Sequence, residues 1–183
     1  MAKTSVVQIQ IFGVVKADEN VFFDLALAAA AASSSAPWSS GYSADDFVDE
    51  LKKAEEEQRA IRFEIHDNWD VFEELRQNCQ AAGLAYVAYT AVGGEPGWSG
   101  GISFRPGMKE EFEFAVRGEN AEPVVPAGAL RAAQNEGPDA VAAILDALAA
   151  NTRIGAITID PEFLQSYETS VADGAQPAAS PRP

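Results

Sequence analysis

Val7, Ile9 and Ile11 alternate with Gln8 and Gln10, the period-two pattern of a strand with one buried face. "NVFFDLALAAAAA" follows and predicts a helix with Asn20 as its N-cap, fading into the polar loop 33–43. Ser43 then opens a second helix, with Asp46 as a short-armed capping-box partner and Phe47, Val48, Leu51 and Ala54 as its apolar stripe. Ile61, Phe63 and Ile65 alternate with Arg62, Glu64 and His66 in a second strand. Asp67 or Asn68 caps the next helix, whose buried stripe is Phe72, Leu75, Cys79 and Ala82 and which stops at Gly83.

"LAYVAYTAV" reads as a third strand, and "GISF" and "EFEFAV" as an antiparallel hairpin turned by "RPGM". "ENAEPVVPAG" carries two prolines and reads as a connector. A short helix is expected around residues 129–134. Pro138 suits the first position of another, striped by Val141, Ile144, Leu145 and Leu148 and closed near Asn151 with Arg153 at its negative end. "IGAITI" is a last strand, and Asp160 caps a final helix reaching about Tyr167. Interleaved helices and strands with at least one hairpin predict a single α+β domain over 1–169, with 119–169 as a candidate sub-lobe. Its sheet should be mixed and mostly antiparallel, with about five to six strands and four to five helices. The small, polar, proline-rich stretch 170–183 reads as a disordered tail.

Charge changes this ordinary picture. The 183 residues carry 28 acidic and 13 basic side chains, a net charge of −15. Such a field repels nucleic acid and anionic membranes and favours basic partners. Twelve of the acids fall between residues 43 and 75, against Lys52, Lys53, Arg59 and Arg62, so eight of the fifteen excess charges lie there. Asp45, Asp46, Asp49, Glu50, Glu56 and Glu57 are the candidate contact residues. The same face could also be a merely solvated one in an acidic protein. One cysteine excludes an intramolecular disulfide and any multi-cysteine metal site. The alternating N-terminus reads as a strand and not as a signal peptide, and the run 25–32 is too short to span a bilayer, so a soluble, cytoplasmic protein is expected.

Gly97-Trp98-Ser99-Gly100-Gly101 matches the G-x-S-x-G pattern of a nucleophile elbow. That elbow needs a helix behind the serine, with the acid and histidine after it. Here a strand-like "ISF" follows, and the lone histidine, His66, comes earlier. Five glycines among residues 93–101 fit a tight connector between strands. On it, Trp98 and Glu95 are candidate partner contacts, although Trp98 could instead pack on the sheet. The loop lacks the lysine and the following helix of a phosphate cradle. His66, Asp67 and Asp70 lie within five residues, but capping explains the two aspartates, so no metal or cofactor is expected. Cys79 sits on an apolar stripe as a small hydrophobe.

The sequence therefore favours a non-catalytic module that binds a basic, nucleic-acid-handling protein, in the manner of an inhibitor or immunity protein imitating nucleic-acid charge. A structural subunit of a homo-oligomer, assembled through edges of "YVAYTAV" or "EFEFAV", is the first alternative. A hydrolase using Ser99 and His66 is the second.

Overall fold

The computed structural model describes residues 5–16, 18–34, 44–92, 99–118 and 120–172. Its central element is β1 (Ser5–Val15), flanked by antiparallel β2 (Ile61–His66) and antiparallel β3 (Ala85–Val92). Beyond β3 the sheet continues through β4 (Gly100–Phe104), β5 (Phe112–Arg117) and β6 (Glu122–Val124), each antiparallel to the one before. β7 (Ile157–Ile159) runs parallel to Gly13–Val15 of β1. The fold is α+β with a mostly antiparallel sheet, as the pattern predicts.

Among the described residues there are seven strands and six helices, one more of each than the upper expectation. The added strand is β6, inside the proline-bearing connector. Pro123 is tolerated there because β6 is an edge strand and its missing N–H leaves no ladder bond unmade. Gly13 marks where β1 leaves β2. Its φ of +111° is open to glycine, and its N–H passes to Ala156 O at 3.0 Å as β7 takes over the edge.

Strand alternation divides the core in two. On one face Val7, Ile9 and Ile11 meet Ile61, Phe63 and Ile65 across β2, with Tyr86 and Ala88 of β3 beside them. This face is covered by α1 (Glu19–Ser34), α2 (Ala44–Glu56) and α3 (Trp69–Ala81), with α1 in the middle touching both others. The alanine run makes that placement possible. Ala26, Ala28, Ala29 and Ala32 are buried, and small side chains let neighbouring helices approach closely. Phe22 of α1 also receives Phe163 and Tyr167 of α6 (Pro161–Ala172), at ring separations of 4.9 and 5.2 Å.

The opposite face has a smaller core of Phe12, Ala85, Val87, Tyr89 and Phe114. α4 (Ala127–Glu136) and α5 (Pro138–Thr152) form a hairpin at that side, and Leu148 of α5 packs on this core. α4 is longer than the expected 129–134. Helix starts differ in detail from the sequence reading. Asp18, not Asn20, caps α1, accepting from Val21 N at 2.9 Å. Asn68 caps α3 through Val71 N, while Asp67 has φ 50° and accepts from Ser5 N. The Ser43 cap lies outside the described residues. α6 runs to Ala172, three residues into the stretch read as a tail, and residues 173–183 are not described.

The end of α5 is also held differently. Arg153 is its C-cap with extended backbone, and the terminal carbonyls of Asn151 and Arg153 are met by the Arg105 guanidinium, which lies 5.2 Å from the Phe12 ring centroid.

Gly101 sits opposite Phe114, and a Cβ at this position would overlap the Phe114 ring. That ring stands between Tyr89 and Phe112, with centroids 6.0 and 6.3 Å away, so it has little room to swing aside. Gly101→Ala is therefore expected to destabilise the fold by about 1–3 kcal/mol, measured by urea denaturation. Gly107→Ala provides a contrast: open space surrounds that position, and its strain comes from a φ of +93° alone.

Candidate functional site

The twelve acids between residues 43 and 75 do not form one face. Glu64 points to the opposite side of the sheet from α2 and α3, because it alternates with the buried Phe63 and Ile65. There its carboxylate meets His66 Nε2 at 2.9 Å. Several others are engaged within the chain. Arg59 holds Glu50 at 2.8 Å and Glu57 at 2.5 Å, and its hydrogen bond keeps the Glu57 carboxyl below its ordinary value. Glu55 accepts from Ile159 N at 2.7 Å, tying α2 to β7.

An exposed acidic stripe stands on the outer side of α2. Asp46, Asp49 and Glu56 are exposed there at helical spacing, with Lys53 the exposed base among them. Neither Asp49 nor Glu56 has an ion-pair partner within 4.0 Å among the described residues. Lys52, one position from that stripe, is drawn away to Glu168 of α6 at 2.7 Å, which raises its pKa. Asp45 lies in the first turn of α2, with its side chain outside the described residues, as are Glu95 and Trp98.

The serine and histidine are not brought together. Register places His66 opposite Val6, and Ser99 lies just before Gly100, the partner of Thr90. Two strands, β1 and β3, separate them, about 14 Å at the usual strand spacing. The Ser99 hydroxyl donates to Thr90 O at 2.8 Å, beside a backbone bond from Ser99 N to the same oxygen. Gly100 and Gly101 are strand residues, so no helix stands behind the serine. Cys79 is fully buried, and burial pushes its thiol pKa up. Among the described residues no cluster of His, Cys, Asp and Glu could hold a metal ion.

A second constellation left no mark in the sequence. On the helix-covered face, α3 ends the helical layer, and beyond it Ile102 and Phe104 of β4 are only partly covered. Two open clefts of about 520 and 400 Å³ lie here, sharing Arg76 and Glu111 as walls. Arg76 reaches Glu111 at 2.5 Å and Glu73 at 2.6 Å, with its guanidinium 5.4 Å from the Phe72 ring centroid. Glu111 also accepts from Tyr86 Oη and from Gln80 at 3.2 Å. Burial, and then this carboxylate, push the Tyr86 hydroxyl upward. The network joins α3 to the β4–β5 turn and braces the sheet. Its bonded pairs lie up to 35 residues apart, a link that no local pattern reveals.

No family model matches this chain, and neither does any curated protein or solved structure. Among the described residues no helix is long and apolar enough to cross a membrane.

Arg76 sets an acid-sensitive part of the stability. Its hydrogen bond holds the Glu73 carboxyl below the ordinary 4.5. A depressed carboxyl stabilises the fold above the unfolded value, and that contribution disappears as pH falls through the folded one. Arg76→Met should cost about 1.5–3 kcal/mol at neutral pH. The gap between variant and wild type should narrow as unfolding is repeated from pH 6 down toward pH 3.

Proposed function

We propose that this chain is a non-catalytic protein-binding module that docks on a basic surface through the outer side of α2. The observation that supports this most directly is the exposed stripe on the outer side of α2, where Asp49 and Glu56 stand outside the ion pairs among the described residues and Asp46 is exposed beside them. Arg59 draws Glu50 and Glu57 together at the end of the helix, but one guanidinium cannot neutralise two carboxylates. They add to the same negative field.

Along the rigid rod of α2 the exposed carboxylates stand about 4.5 Å apart from Asp46 to Asp49 and about 10 Å apart from Asp49 to Glu56. The spacing between phosphates on one nucleic-acid strand is of the same order. A protein surface built to grip nucleic acid would meet similar charge on α2, and a net charge of −15 would steer it there at long range. The partner class is thus a basic, nucleic-acid-handling protein, with the module acting as its inhibitor or immunity-type counterpart. Ser99 and His66 take no part in this reading, and their separation agrees with it.

The test is binding of a basic partner recovered with the tagged full-length chain from its native cell. Asp46→Lys, Asp49→Lys and Glu56→Lys together should weaken that complex by roughly 100-fold or more, while far-UV circular dichroism stays native. The association rate of the wild type should also fall steeply with added salt. Retention of the basic partner by the folded triple variant would refute the proposal.

A further inference from the structure

We infer that the outer side of α5 is a self-association surface, on which two copies of this chain pair α5 against α5 in antiparallel orientation about a twofold axis. α5 is a fifteen-residue helix, "PDAVAAILDALAANT", in which no residue is buried. Leu145 is 50% exposed, Ala142 and Ala149 beside it are exposed, and Val141 and Leu148 are half-buried at the edge of the same strip. Its only charged side chains are Asp139 and Asp146. Helices this apolar are normally covered on more than one side, whereas among the described residues α5 rests on α4, β4 and the edge of the smaller core.

Charge selects a second copy as the occupant. Two molecules of net charge −15 repel one another wherever their acidic surfaces meet. Residues 125–156 are the exception, with Glu136, Asp139 and Asp146 against Arg131 and Arg153. This near-neutral strip offers little to a basic partner and is where two copies can approach with least repulsion. Antiparallel pairing also brings Asp139 at one end of α5 to Arg153 at the other end of the second copy's helix. Neither residue has an ion-pair partner among the described residues. Arg153 is left available because Arg105 has taken over the terminal carbonyls. The helix dipoles then oppose each other favourably.

With the twofold axis at Leu145, the most exposed large side chain of the strip, Leu145 meets Leu145 of the second copy, with Val141 opposite Ala149 and Leu148 opposite Ala142. Arg153 then lies two residues, about 3 Å along the axis, from the position opposite Asp139, an offset its long side chain can span. Large side chains face small ones, as close helix packing requires. β3 pairs with β1 on one side and β4 on the other, which corrects the expectation that "YVAYTAV" offers an assembly edge. β5 pairs with β4 over Phe112–Phe114 and with β6 over Ala115–Arg117, so "EFEFAV" offers no continuous edge either.

Sedimentation velocity of the full chain across a wide concentration range tests the inference, with a dimer mass expected for the wild type. Leu145→Glu should raise the dimer dissociation constant by about 30-fold or more. Because Leu145 is half exposed, circular dichroism should remain native. Asp139→Arg should weaken the dimer, and adding Arg153→Asp should restore it, an outcome that general surface stickiness would not produce. Leu145→Cys should give a reducible covalent dimer under mild oxidation, since Cys79 is buried and cannot compete. A wild type that stays monomeric at every concentration would overturn the inference and assign α5 another cover, either a segment such as 173–183 or a different protein. A dimer indifferent to Leu145→Glu would overturn it as well.

Discussion

The molecule depends on β1 being hydrogen-bonded along both edges. β2 and β3 pair with it over residues 5–12, and β7 takes over one edge at Gly13. Each backbone group in the sheet centre thereby finds a partner away from water, which a buried strand requires. The same strand carries Val7, Ile9 and Ile11 into the larger core, where all three are almost wholly covered. Helices α1, α2 and α3 assemble over these side chains, and α6 closes on Phe22 from the side. A single strand thus links segments from residue 5 to residue 159.

Around this apolar centre the chain must place an excess of fifteen negative charges. None enters either core; Ser103 is the one buried polar side chain among the described residues. Where acids approach the sheet they arrive with a cation, as Glu73 and Glu111 do with Arg76, or with a backbone donor, as Glu55 does with Ile159 N. Burying a carboxylate without such a partner would cost several kcal/mol. Asp49 and Glu56 stand exposed on the outer side of α2 without an ion pair among the described residues, while the α4–α5 hairpin is nearly neutral and apolar.

The glycine-rich stretch shows how a short pattern can match without its chemistry. Gly101 completes the G-x-S-x-G sequence, yet its lack of a side chain is required by the Phe114 ring on the neighbouring strand. Ser99 completes it as well, yet its hydroxyl is bonded to the carbonyl of Thr90. Both facts depend on the β3–β4–β5 register, which lies outside the five residues of the motif.

Local periodicity was sufficient for the α+β class, the order of most elements and the buried stripes, including Phe47–Leu51 on α2 and Phe72–Cys79 on α3. Those features arise from side chains a few residues apart on one helix or strand, so the sequence by itself determines them. It also determines the net charge and the absence of an intramolecular disulfide. Tertiary structure decided which acids are held inward at a distance, since Arg76 reaches Glu111 and Ile159 N reaches Glu55 from elements that no local pattern connects. It decided that His66 and Ser99 are separated by two strands, that Arg105 closes α5, and that no residue of α5 is fully buried. The physical reason is the same in each case: hydrogen bonds, ion pairs and burial are set by neighbours in space, and those neighbours exist only once the sheet has chosen its register.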